Sequence, residues 1–284
     1  LARGLSRRAV LAALPLSASL ISTTTRAAAP GLSLTGKFVQ GGYAVGRTTP
    51  RAAVDVDGQV QTTASASGWF VIGFDRDAPP QSKLTVTTAD GSASDERAIA
   101  LGDFDVQRID GLPPEQVTPT DPALLARITA ENIRKVAGFA SQADLEGFRD
   151  GFILPVVGAR RSARFGGQRI LNGEPKRPHY GVDLATPVGT PVRAPAGGLV
   201  CFAETGLHYE GGLVLVDHGQ GLVTAYLHLS KILVPAGTYV KQGQMIAETG
   251  KEGRATGPHL CWRMKWRGRN LDPSLLVGAG PFRA

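Results

Sequence analysis

Cysteine is almost missing from this chain. Only Cys201 and Cys261 occur in 284 residues. That excludes a disulfide-stapled scaffold and a zinc ribbon built on paired Cys-x-x-Cys ligands. In an oxidising compartment the two could pair with each other, and their spacing does not decide it. Methionine is equally scarce, with 2 residues, and aromatics make up 6%, so any core has to be built mainly from small and branched aliphatic side chains. No long apolar run is present either. The longest, Ala9 to Ile21, has 13 residues, short of the roughly 20 that span a bilayer. A true excess of positive charge is also lacking. The formal charge is +7, but Arg3, Arg7, Arg8 and Arg26 precede any acidic residue, and the remaining 27 basic and 24 acidic side chains leave +3. Nucleic acid is therefore not an expected partner.

What the first residues do contain is the pattern of an export signal. Arg7-Arg8 precede the apolar run, and Ala27-Ala28-Ala29 follow it. Residues 1–29 are expected to be a signal peptide, read by the general secretory or the twin-arginine route, since Ser6-Arg7-Arg8-Ala9-Val10-Leu11 is similar to the latter's motif. The mature protein is expected outside the cytoplasmic membrane, in a periplasm, with no membrane span.

Glycine (36) and proline (19) are plentiful and favour short strands joined by turns. Residues 30–105 read as a small antiparallel β-sandwich of unassigned role. Val54 and Val56 lead into an Asp57-Gly58 hairpin signal, Trp69 to Phe74 is a buried strand, and Leu84 and Val86 lead to a second turn at Asp90-Gly91. Asp55, Asp57, Asp75 and Asp77 fit turn chemistry better than a calcium loop. Residues 106–150 read as a helical connector. Asp121 can cap a helix with Pro122 in its first turn and an apolar stripe of Leu124, Leu125, Ile128, Ile133 and Val136. Gly138 is its expected end, and a second short helix is predicted from Ser141. From 151 to 278 the pattern returns to short strands. The predicted fold is mainly β throughout.

All five histidines, at 179, 208, 218, 228 and 259, lie in this last region. His179 and Asp183 are four apart, and in extended backbone both point to one face, with Gly181 between them offering no obstruction. His259 and Cys261 share a face in the same way. Leu222, Thr224, Tyr226 and His228 alternate with Val223, Ala225, Leu227 and Leu229. The second set reads as core, which turns Tyr226 and His228 toward a cleft. His218, at a glycine turn, reads as structural, and His208 as a loop residue at the cleft edge.

Together these motifs resemble the lysostaphin-type (LytM-domain) zinc metallopeptidases. The resemblance runs over about residues 151–275 through Arg169-Ile170-Leu171-Asn172-Gly173, His179 to Asp183, Thr190 to Pro195, Asp217-His218-Gly219, Tyr226-Leu227-His228-Leu229, Gly243-Gln244 and Gly257-Pro258-His259-Leu260. It implies an antiparallel β catalytic domain holding one zinc ion. The family's ligand positions fall on His179, Asp183 and Cys261. The last is a departure, since the family pattern has His there, but thiolate is itself a strong zinc ligand. The non-ligand catalytic histidines fall on His228, the expected base, and His259, the expected stabiliser of the oxyanion. Asn172, Arg169 and Tyr226 are the expected substrate-groove residues.

The implied activity is that of a metalloendopeptidase hydrolysing peptidoglycan stem peptides or cross-links, with peptidoglycan peptide as partner and a regulatory protein as a further one. The alternative is a catalytically inactive relative that activates cell-wall amidases, and Cys261 is the feature that points to it. Export makes a direct prediction. Terminal sequencing of the protein recovered outside the cytoplasm should start near residues 28–30. An intact Arg7-Arg8 start, recovered from the cytoplasm alone, would contradict it.

Overall fold

The computed structural model describes residues 1 and 30–282, so the expected export signal lies outside the described residues. The chain is mainly β, with antiparallel sheets joined by a short helical connector. No helix among the described residues is long and apolar enough to cross a membrane.

Two antiparallel sheets come first along the chain. One holds Ser33–Lys37, Tyr43–Arg47 and Trp69–Gly73; the other holds Ala53–Val56, Gln59–Thr63, Gln81–Thr88 and Gly91–Ala98. Asp57 (φ 58°) and Gly58 (φ 83°) are both left-handed, as a tight two-residue hairpin requires. The Asp57 carboxylate then accepts from Lys83 N at 2.9 Å and Ser82 Oγ at 3.0 Å, so this acid is occupied in fixing the turn. Val54, Val56, Leu84 and Val86 face inward onto Phe70 and Ile72. The same apolar cluster includes Trp266, Leu271 and Leu276 from the far end of the chain. Gly73 permits that contact, because a Cβ there would stand 2.7 Å from Leu271 Cδ1.

The larger sheet has ten strands. Its main path runs Tyr239–Val240, Gly198–Leu207, Gly211–Asp217, Leu222–Ile232, His259–Trp266, Val182–Ala185 and Arg160–Ala163. Every neighbouring pair on this path is antiparallel. One face buries Val214, Val216, Tyr226, Leu260 and Trp262. The other buries Leu213, Leu215, Val223, Ala225, Leu227 and Cys261.

The helix Pro122–Phe139 covers this second face, and Asp121 caps it by accepting from Ala123 N at 3.1 Å. Its buried side is not the predicted apolar stripe. Ile128, Glu131, Lys135 and Gly138 point inward, while Ile133 and Val136 are each 67% exposed. Specific partners explain the choice. Glu131 accepts from Arg127 Nε at 2.8 Å and from His208 N at 2.9 Å, and Lys135 Nζ meets Glu210 at 2.7 Å. A paired charge is tolerated where an unpaired one would not be. Gly138 does not end the helix. It lets the helix approach the sheet, since a Cβ would sit 2.9 Å from Leu215 Cδ1. No helix starts at Ser141, whose hydroxyl instead donates to Asp217 at 2.7 Å; a short 3-10 turn follows at Gly147–Asp150.

Behind the sheet a polar chain is fully satisfied. His218 Nδ1–H donates to Gly197 O at 2.9 Å, its Nε2 accepts from the Thr224 hydroxyl at 2.7 Å, and Thr224 Oγ1 accepts from Tyr226 OH at 2.7 Å. Burial pushes the His218 pKa down to about 4. An unfolded histidine titrates near 6.5, so between the two values the unfolded chain binds a proton that the folded chain refuses. The contribution of His218 is therefore whole above about 6.5 and is lost as pH falls toward about 4. Urea melts of His218→Gln across that window should show proton uptake on unfolding reduced by close to one. An unchanged slope would mean that another group carries it.

Candidate metal centre and its groove

Strand Val182–Ala185 pairs with His259–Trp266 so that Asp183 stands opposite Cys261 and Ala185 opposite His259. Directly opposed residues project to the same face, so one pairing brings a carboxylate and a thiol together. His179 enters just ahead of this strand. Its backbone is fixed at both ends, His179 N donating to Gly167 O at 2.8 Å and His179 O accepting from Gly166 N at 2.7 Å. Its Nε2 lies 3.1 Å from Asp183 Oδ1 and 3.4 Å from Cys261 Sγ. One donor atom from each of the three falls within 4.8 Å of the others.

His228 reaches the same place by a different route from the one alternation predicts. Tyr226 stands opposite Trp262 and is wholly buried on the far face of the sheet, bonded to Thr224. Strict alternation would send His228 there too. Instead His228 adopts a left-handed φ of 65°, its amide donates to Glu210 O at 2.8 Å, and the pairing register shifts on both sides of it. This irregularity turns the imidazole onto the Cys261 face, with its ring centroid 4.6 Å from that of His259. Such a backbone costs on the order of 1 kcal/mol for a residue with a Cβ and is characteristic of functional positions. The expectation that Tyr226 lines the groove is therefore corrected: it faces the core.

The two histidines are held in one tautomer each. His228 Nδ1–H donates to Glu252 O at 2.7 Å and His259 Nδ1–H to Gly257 O at 2.8 Å, which leaves both Nε2 atoms as acceptors. Burial pushes the pKa of His228 down to about 4 and lowers that of His259 as well. Burial acts on Asp183 in the opposite sense, but the close approach of His179 Nε2, at 3.1 Å, together with His259 and Arg169, outweighs it. They hold the carboxyl well below the usual carboxylate range.

The donor set fits a metal ion. Asp183 Oδ1 is buried without a well-aligned hydrogen bond, and it converges with a ring nitrogen and a sulfur. Three lone-pair donors in one buried place call for a cation between them, and His, Cys and carboxylate are zinc's usual ligands.

Around this centre a groove of about 520 Å³ is lined by Arg108, Arg161, Arg164 and Arg169 and ends on Asp183 and His259. Arg169 Nη2 stands 3.7 Å from Asp183 Oδ2. A smaller space of about 60 Å³ lies directly against Asp183, His228, His259 and Arg254, under Ile109 and Leu112 of the connector. The connector is held there. Val106–Ile109 pairs in parallel with Gln168–Leu171, Asn172 exchanges two hydrogen bonds with the Leu112 backbone at 3.1 and 2.7 Å, and Arg254 donates to Gln116 O at 3.0 Å. The side chain of Asn172 is thus engaged by the protein itself. His208 Nε2 lies 3.2 Å from Glu115 O and tethers the same segment. His218 is absent from the site. Sequence reasoning missed Arg254 and Arg263. The second was legible, because it follows Cys261 by two on the same strand face.

The model of peptidase family M23 matches residues 177–273, from just before His179 to well past Cys261. The stretch that carries the site therefore matches peptidase family M23, over about a third of the chain. Among curated relatives, the chain is 46% identical over 96 residues to the peptidoglycan DD-endopeptidase ShyA of Vibrio cholerae, a match covering 34% of this chain and 22% of that protein. It is 38% identical over 121 residues to the DD-carboxypeptidase/endopeptidase Mpg of Neisseria meningitidis, covering 43% and 28%. The matched stretch thus spans less than a third of the length of these relatives, from 20% to 28%. A solved Pseudomonas aeruginosa structure assigned to peptidase M23 is similar over 86% of this chain and 96% of that one, at 29% identity and a TM-score of 0.63.

Proposed function

We propose that this protein is an M23 peptidase that hydrolyses amide bonds in the peptide part of peptidoglycan, outside the cytoplasmic membrane, with one zinc ion held by His179, Asp183 and Cys261. The observation that carries the reading is the convergence of three buried donor atoms within 4.8 Å beneath two histidines whose free Nε2 atoms share one small cavity. The substrate class rests on the M23 relatives, whose names describe peptidoglycan DD-endopeptidases. In the inactive-regulator reading Cys261 would mark a lost ligand. Its sulfur instead points at the other two donors, which favours an enzyme. The division into residues 30–105, 106–150 and 151–278 is part of this proposal, with the family match inside the last.

A bound zinc ion would supply Lewis-acid polarisation of water and of the scissile carbonyl. The rest falls to the chain's own side chains. His228 is neutral at physiological pH because burial disfavours its charged form, and the Glu252 carbonyl fixes the tautomer that presents Nε2 as an acceptor. It can take the proton of the attacking water as the carbon–oxygen bond forms, then return it to the departing amine as the carbon–nitrogen bond breaks. His259 lies beside it and, once its Nε2 has taken up a proton, can donate to the carbonyl oxygen as charge develops, and the part-buried Arg169 adds positive field at the same point.

His228→Ala should lower the rate of wall digestion by roughly 10²- to 10⁴-fold and keep its zinc. Asp183→Ala should lose both. The measurements are fragment release from purified peptidoglycan and zinc stoichiometry for each variant. Loss of zinc from His228→Ala would overturn the assignment of roles.

A further inference from the structure

Cys261 does not stand alone at the proposed metal centre. On strand His259–Trp266 the residues that share its face are His259, Arg263 and Lys265. Arg263 lies part-buried, and its Nε donates to Cys261 Sγ at 3.3 Å. Among the described residues no carboxylate forms an ion pair with Arg263, and its side chain donates to the sulfur. Asp183 has the corresponding neighbour in Arg169, at 3.7 Å. Each anionic donor of the triad is thus faced by one guanidinium.

The backbone makes room for this arrangement. A Cβ on Gly181 would stand 2.7 Å from Arg263 Cγ, 2.9 Å from Trp262 O and 3.1 Å from Cys261 Sγ. The bare position between His179 and Asp183 therefore serves the arginine stem and the sulfur, where the sequence suggested only clearance for the ion.

We infer that Arg263 is a positioning residue for the metal-binding sulfur: it fixes the direction of Cys261 Sγ and withdraws electron density from it. The inference rests on the proposed ligand set and goes beyond it. A thiolate ligand carries a negative charge that a neutral imidazole would not, and in excess that charge weakens the polarising power of the ion. A hydrogen bond from a fixed cation to the sulfur offsets the effect. Partners behind a ligand commonly tune a metal in this way. Arginine suits the task because its charge is permanent and its N–H direction is set by a planar group.

The test uses cobalt(II) titrated into the metal-free full-length protein, because a thiolate bound to cobalt gives a sulfur-to-metal charge-transfer band in the near ultraviolet. The wild type should show the band. Arg263→Met should move it to longer wavelength, since a sulfur without its hydrogen bond gives up charge more easily. Arg263→Lys should bring it part of the way back. Gly181→Ala, whose added methyl crowds both the arginine stem and the sulfur, should move the band in the same direction as Arg263→Met. A band that stays in place in folded Arg263→Met and Gly181→Ala would overturn the role of Arg263 while leaving Cys261 a ligand. No sulfur band in the wild type would overturn the ligand set itself. Far-ultraviolet circular dichroism identifies any variant that fails to fold, and in that case the lysine and alanine variants carry the comparison.

Discussion

Almost everything at the centre of this protein follows from how one short strand is registered against a long one. Val182–Ala185 could lie against His259–Trp266 in several registers that satisfy the same backbone hydrogen bonds. In the one observed, Asp183 is opposite Cys261 and Leu184 is opposite Leu260. A slip of one residue would send Asp183 into the apolar layer of Leu260 and Trp262 and turn Leu184 toward the groove. Burial of an unpaired carboxylate there would cost several kcal/mol, so the core on one face enforces the chemistry on the other. The helix Pro122–Phe139 then seals the part of that second face which is not needed, and the connector and the loops around Arg254 border the part left open.

Within this frame the site concentrates charge of both signs at short range. In the proposed centre Asp183 and Cys261 would supply the anionic donors; Arg169 and Arg263 stand beside them, and Arg254 faces the small cavity. With a dication between the three ligands the formal charges of ion, carboxylate and thiolate cancel. The guanidinium groups then leave the open space favourable to negative charge, as the transition state of amide hydrolysis requires. A cysteine in place of the histidine at the third ligand position thus need not abolish electrophilic character if the surrounding cations restore it.

The mainly β character, the first hairpin turn and the grouping of His179 with Asp183 and of His259 with Cys261 were legible in the sequence, because each depends on local periodicity or turn chemistry. His228 was expected at the cleft on the strength of an alternation that the strand does not keep. Tyr226 obeys the alternation and is therefore buried, while His228 breaks it through a left-handed backbone that depends on Glu210 of the neighbouring strand pair. No local pattern announces that break. The helix shows the same limit: its apolar stripe was read from period alone, whereas Glu131 and Lys135 are buried because their partners at Arg127, His208 and Glu210 exist only in the folded sheet. The position of Leu112 over the cavity depends on Asn172, 60 residues away, and lies beyond any short-range signal.

The central claim is the proposal that this protein binds a zinc ion through one nitrogen, one oxygen and one sulfur of its own. X-ray absorption at the zinc edge of the purified full-length protein reads that shell directly. The account predicts a single sulfur scatterer at about 2.3 Å with the remaining neighbours light atoms at shorter distance. A shell of nitrogen and oxygen alone, at full zinc occupancy, would contradict it.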